Sequence, residues 1–175
     1  MLGGTIWLES ISGKGSAFYF TIPYKTGSIA KNPLLPDISI YKWKSKTVLI
    51  AEDILPNYLL MEALLRRTEV RLLHAVDGQA AIEMAESIPS IDLVLMDIQL
   101  PIKTGYEALK EILQFRPNLQ VLSYTAFALP NEHVKSIAAG FVEFIPKPIK
   151  VEVLLPILNK YLQGTNNRDL SEKKS

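Results

Sequence analysis

The sequence predicts an α/β domain, a five-stranded parallel sheet wound on both faces by helices, with a small β-hairpin in front of it. From Lys46 onward, short apolar runs alternate with longer segments of helical period, the pattern of a parallel sheet. Before residue 25, two runs of period two flank a glycine turn. Charge divides near the same place. Residues 1–46 carry six Lys against Glu9 and Asp37, or +4, whereas residues 47–163 carry ten Lys or Arg against fourteen Asp or Glu, or −4. Such asymmetry marks two units of different character.

The hairpin comes first. "TIWLES" and "SAFYFTI" surround Gly13 and Gly15, and Phe18, Phe20 and Ile22 share one face at period two. Two strands alone are marginal in water, so residues 1–24 must lean on something, and Trp7 is a further candidate for cover. Residues 25–45, rich in Lys, Pro and Ser, read as a linker. The α/β domain then spans 46–163, and 164–175 reads as a disordered tail. Its strands are expected at 47–51, 70–75, 91–96, 120–124 and 141–145, and several are almost continuously apolar, as strands covered on both faces should be. Helices are expected near 56–67, 78–87, 105–115, 131–139 and 150–162.

Local chemistry supports these boundaries. Pro56 suits a first helical turn, where its missing N–H costs nothing. Thr104 and Glu107 have the spacing of a capping box, and Gly140 stands where a helix should end. Pro156 conflicts with its surroundings, because a proline inside a helix removes a hydrogen bond and favours a kink.

Bulk properties exclude several classes. The chain has 175 residues, 48% hydrophobic and 21% charged, in the range of globular domains. A net charge of +1 argues against nucleic-acid binding driven by overall charge. The absence of cysteine removes disulfide and thiolate chemistry and fits a reducing, cytoplasmic setting. No apolar run is long enough to span a bilayer, so no membrane contact is expected, and no signal-peptide pattern opens the sequence. With only His74 and His133 and no Cys, a zinc site is not supported, and both histidines read as surface residues.

The chemistry concentrates where the strands end. In open α/β sheets, ligands bind beyond the carboxyl ends of the strands. Those ends carry Glu52 and Asp53 after the first strand, Asp97 after the third, Thr125 after the fourth and Lys147 after the fifth. Three clustered carboxylates repel one another unless a hard cation such as magnesium neutralises them. A carboxylate can also act as a nucleophile toward phosphorus, and a lysine and a magnesium ion stabilise the charge on a transferring phosphoryl group. Thr125 can donate a hydrogen bond to such a group, and Ala126 beside it leaves room.

Four ordered motifs in this stretch resemble the receiver domain of two-component signalling along residues 46–163. They are "VLIAEDILPN" (48–57), "VLMDIQLPIKTGYEAL" (94–109), "VLSYTA" (121–126) and "FIPKPI" (144–149). The resemblance implies a flavodoxin-like (βα)5 fold, with Asp97 as phosphoacceptor. It implies Mg2+, or Mn2+, held by Glu52, Asp53, Asp97 and the backbone carbonyl of Gln99. It further implies that Lys147 pairs with the phosphoryl group and that the Lys147–Pro148 bond is cis. Thr125 and Phe144 would move together, altering the face built from the fourth helix, fifth strand and fifth helix of the domain. The donor would be a phosphohistidine on a kinase or phosphotransfer domain, with a downstream regulator as a further partner. Phe144 departs from the commoner tyrosine and lacks a ring hydroxyl, "KTG" (103–105) stands in place of Met-Asp-Gly, and Pro146 before the lysine is unusual.

"ISGKGSAFYF" (11–20) looks at first like a phosphate loop. A Walker A motif, however, needs Ser or Thr after Gly-Lys and a glycine five residues earlier; here Gly15 follows Lys14 and Leu8 precedes. Residues 1–23 instead resemble the extreme C-terminal end of a histidine-kinase ATP-binding domain, without that family's ATP-binding boxes or its phosphoacceptor histidine. The order of segments resembles the C-terminal part of a hybrid histidine kinase, whose parent chain could be membrane-anchored. Two other functions compete. One is a homodimerising interaction module that uses the hairpin in residues 1–24. The other is a haloacid dehalogenase-like phosphatase, which needs an Asp where Gln99 stands.

Overall fold

The computed structural model describes residues 3–23, 40–125 and 130–163, and the chain divides into two compact units, Met1–Leu35 and Pro36–Ser175. Ala126, the expected tail and most of the expected linker lie outside the described residues.

In the first unit, β1 (Ile6–Ile11) pairs antiparallel with β2 (Gly15–Phe20), placing Ile6 opposite Phe20 and Leu8 opposite Phe18. The turn closes with the Lys14 N–H donating to the Ile11 carbonyl at 2.9 Å, and Gly13 takes φ +78, a value that β-carbon sterics deny most residues. Alternation along the strands gives the ribbon two apolar faces rather than one. Ile6, Leu8, Phe18 and Phe20 lie on one, while Trp7 stacks on Tyr19 on the other, ring centroids 5.3 Å apart. Within this unit both faces are exposed, Phe18 at 72% and Phe20 at 71%.

The second unit has five parallel strands: β3 (Thr47–Ala51), β4 (Arg71–Ala75), β5 (Leu93–Asp97), β6 (Gln120–Thr125) and β7 (Glu143–Pro146), in the order β4-β3-β5-β6-β7. Strands β3, β5 and β6 are buried almost throughout, which explains their unbroken apolar character, whereas the edge strands β4 and β7 are part-exposed. The helices are α1 (Leu55–Leu65), α2 (Gly78–Ser87), α3 (Gly105–Phe115), α4 (Pro130–Ala139) and α5 (Val151–Leu162). One core packs Leu49, Val94 and Val121 against Ala81, Leu109 and Ile112. The other packs Ile50, Leu95 and Leu122 against Met61, Leu65, Leu155 and Leu158. The sheet is thus wound on both faces, as the sequence predicts, in the flavodoxin-like topology.

The capping box forms. Thr104 Oγ1 accepts the Glu107 N–H at 3.3 Å and the Glu107 carboxylate accepts the Thr104 N–H at 2.8 Å. Gly105 then touches the end of β5, where an added β-carbon would lie 2.2 Å from the Asp97 carbonyl oxygen; only glycine lets α3 start this close to the rim. Helix α5 runs through Pro156, which is exposed on the side away from the buried Leu154, Leu155 and Leu158.

The expected linker gives way earlier than residue 45. Trp43 is 2% exposed, its N–H donates to the Thr68 carbonyl, and its indole nitrogen donates to Asn159 of α5 at 3.2 Å. The segment just before β3 therefore belongs to the α/β unit, held by burial of a large ring.

Candidate functional site

The carboxyl ends of β3, β5 and β7 converge. Glu52 follows β3, and because β5 is the direct neighbour of β3, Asp97 emerges beside it. Lys147 follows β7 and reaches across β6, its ammonium donating to Glu52 Oε2 at 2.6 Å and Asp97 Oδ2 at 2.5 Å. Glu52 is fully buried and both of its oxygens are used, Oε1 accepting from the Asn57 amide at 2.9 Å and the Ile54 N–H at 3.2 Å. Asp97 is 5% exposed, and its Oδ1 accepts the Gln99 N–H at 3.0 Å as the chain turns back after β5. Asp53 is exposed at the mouth. One carboxylate oxygen from each of Glu52, Asp53 and Asp97 lies within 4.8 Å of the others.

Electrostatics follow from this crowding. Burial pushes the Asp97 carboxyl above its ordinary value, against the pull of the Lys147 hydrogen bond and the Gln99 N–H. For Lys147, burial alone would lower the pKa, but hydrogen bonds to Asp97 and Glu52 outweigh it and leave the ammonium above its ordinary value. Three carboxylates face this one ammonium, so the rim keeps an excess of negative charge on hard oxygen donors. A magnesium ion fits that donor set.

The remaining expected residues divide. Thr125 ends β6 and is 1% exposed. Phe144 lies half-buried on β7, with its ring edge-on to His133 of α4 at 5.9 Å. The Lys147–Pro148 peptide bond is cis. Gln99 is exposed, and its backbone N–H, not an acidic side chain, faces Asp97.

Sequence reasoning missed three contributors. Tyr124, on β6, places its ring 4.2 Å beneath the Lys147 ammonium, and burial pushes its hydroxyl pKa up to about 12. Asn57 steadies Glu52 from the first turn of α1. His74, expected at the surface, is half-buried, stacked on Tyr58 at 3.8 Å, with Nε2 2.8 Å from the Glu52 carbonyl oxygen. Only Asn57 lay within a quoted motif, "VLIAEDILPN"; the other two are tertiary contacts.

Residues 48–159 match the response regulator receiver domain family. The chain is 32% identical over 157 residues to the autoinducer 2 sensor kinase/phosphatase LuxQ of Vibrio vulnificus, covering 88% of this chain and 18% of LuxQ. It is 34% identical over 137 residues to the signal transduction histidine-protein kinase BarA of Escherichia coli, covering 77% of this chain and 15% of BarA. It thus spans less than a fifth of either relative. Among solved structures it resembles the receiver domain of sensor histidine kinase PA1611 from Pseudomonas aeruginosa, which holds a magnesium ion in its active-site cleft. The TM-score is 0.63 at 30% identity, covering 69% of this chain and 99% of that one. The Saccharomyces cerevisiae complex of Ypd1 with the Ssk1 receiver domain matches with TM-score 0.65 at 24% identity, a likeness of fold, over 71% of this chain and 95% of that one. The phosphatase and pure-interaction readings are not favoured by these relatives. Fold, rim and relatives agree, and the chain belongs to the response regulator receiver family, a receiver domain of two-component phosphorelay signalling homologous to those of hybrid histidine kinases.

Proposed function

We propose that Asp97 is the residue that carries the phosphoryl group and that the donor is a phosphohistidine on a kinase or phosphotransfer domain. The observation that carries this reading is the nearly buried Asp97 carboxylate held between Glu52, Asp53 and the Lys147 ammonium. A carboxylate oxygen of Asp97 bonds to phosphorus as the P–N bond of the donor imidazole breaks, its electron pair staying on nitrogen. The product is an acyl phosphate. Lys147 shifts from the Asp97 carboxylate to a phosphoryl oxygen, and Thr125 donates a hydrogen bond to another. Glu52, Asp53, Asp97 and the Gln99 carbonyl are the groups that would hold Mg2+ or Mn2+, and the cation when bound would offset the charge on the transferring oxygens. Movement of Thr125 and Phe144 alters the α4-β7-α5 face, which relays the state or passes the group to a downstream partner.

Treatment with acetyl phosphate and Mg2+ followed by intact mass tests the assignment. One phosphoryl addition, absent in Asp97→Ala, is the expected result; no adduct, or one that survives the substitution, overturns it.

The hairpin, on this reading, is the C-terminal end of a histidine-kinase ATP-binding domain, and the parent protein is a cytoplasmically facing hybrid kinase. Similarity to LuxQ over 88% of the chain, more than the family match at 48–159 occupies, supports this, as do two apolar hairpin faces suited to a domain core. In isolation those faces favour self-association. Light scattering should show dimers that Phe18→Ser and Phe20→Ser together return to monomers; an unsubstituted chain that is already monomeric would sink the dimer.

A further inference from the structure

The Lys147 ammonium has three contacts of two kinds: the Glu52 carboxylate at 2.6 Å and the Asp97 carboxylate at 2.5 Å, and the face of the Tyr124 ring at 4.2 Å. The two carboxylates belong to the cluster that a divalent cation would claim. Transfer of a phosphoryl group to Asp97 would remove a further carboxylate charge from the ammonium. The ring is the contact that neither event takes away. Its position is fixed by the sheet: Tyr124 is directly opposite Asp97 in the β5–β6 register and opposite Ile145 in the β6–β7 register, two residues before the lysine. It is 2% exposed and packs in one cluster with Ile145, Leu154 and Leu155, so the aromatic face is rigid before any ligand arrives. A cation over an aromatic face is attracted by the ring quadrupole, and the attraction grows when the pair is shielded from water, as here.

We infer that Tyr124 is a positioning residue for Lys147, whose ring face keeps the ammonium aimed at the rim when the carboxylates turn to a divalent cation or to phosphorus. This rests on Lys147 as the cation that meets the phosphoryl group. The ring needs no hydroxyl for this task, which separates the role from a hydrogen-bonding one. It also separates it from core filling, because an aliphatic side chain fills space without attracting a cation.

Two measurements on the full chain test it. In the wild type, NMR of the Lys147 side chain should show ring-current upfield shifts of its ε-methylene protons, retained on addition of saturating Mg2+. Phosphorylation by acetyl phosphate at saturating Mg2+ should be within twofold of wild type for Tyr124→Phe. It should be about fivefold slower for Tyr124→Leu, with the Mg2+ dissociation constant unchanged. Tyr124→Met, a flexible side chain of similar bulk, should behave as Tyr124→Leu does and serves if the leucine variant fails to fold. On a Lys147→Ala background, replacing the ring should slow the reaction no further. Absent upfield shifts, loss of them with Mg2+, equal rates for the phenylalanine and aliphatic variants, or the same slowing without Lys147 would each overturn the inference. A wild-type chain that takes no phosphoryl group overturns both this inference and the assignment of Asp97. One that does so with rates indifferent to the ring overturns the inference alone.

Discussion

Strand β5 has an aspartate at each end, and the two live in opposite circumstances. Asp92, just before the strand, accepts the Thr47 N–H at 2.8 Å and the Lys46 ammonium at 3.0 Å, tying the start of β3 to the start of β5. Nearby, Arg116 donates to the carbonyls of Ala85, Ile88, Pro89 and Ile91 at 3.2, 3.3, 3.2 and 2.6 Å. Asp92 and Arg116 are thus both held by structural partners. Asp97, at the other end, shares a single ammonium with Glu52 while Asp53 adds a third carboxylate. Charges that stitch a fold come with their partners; charges that await a ligand stand in excess. The contrast separates structural from functional carboxylates where residue type alone does not.

The largest test of the comparison lies at the stitched rim. Arg116→Ala removes a donor from four carbonyls, of which Ile88 keeps the Ile91 N–H, and should cost about 3 kcal/mol in urea unfolding, while the folded fraction still takes up phosphoryl from acetyl phosphate. At the other rim, Mg2+ at a hundredfold excess over its dissociation constant should stabilise the wild type by about 2.7 kcal/mol, and Asp53→Ala should abolish most of that gain in a thermal melt. The sharpest comparison uses one substitution at two places. Without divalent cation, Asp92→Asn should destabilise by about 1 kcal/mol and Asp97→Asn should stabilise by about the same. Two losses, or two gains, would break the distinction between the rims.

The smallest effect is in pH. An acid whose pKa is higher in the folded chain binds its proton more tightly there. Its contribution to stability is complete below the ordinary aspartate value of 3.8 and is lost as pH rises through the raised value. Without divalent cation, urea unfolding should therefore show Asp97→Asn gaining on the wild type as pH rises from 3.8 through the raised value.

What the sequence disclosed tracks how local each cause is. The capping box at Thr104 and Glu107 was legible because both partners lie within one turn. The buried strands were legible because coverage on two faces demands continuous apolar runs, as in "LVLM" of β5. Glu52, Asp53, Asp97 and Lys147 could be placed on one rim because strand ends in a parallel sheet share a direction. Trp43 was hidden in a lysine-rich stretch without periodicity, since its partner Asn159 is far along the chain. Tyr124 looked like any strand aromatic until β7 brought Lys147 over its ring. Trp7 was assigned the same need for cover as Phe18, yet alternation puts it on the other face, stacked on Tyr19.

The strand order carries a consequence for synthesis. Glu52, Asp53 and Asp97 leave the ribosome well before Lys147, which arrives with β7, the last strand of this sheet in chain order and one of its edges. A nascent or truncated chain thus has the rim's negative charges without the cation that joins them, and a buried charge without its partner is costly. Arrival of β7 closes the circuit of charges, because it brings the one ammonium that Glu52 and Asp97 share.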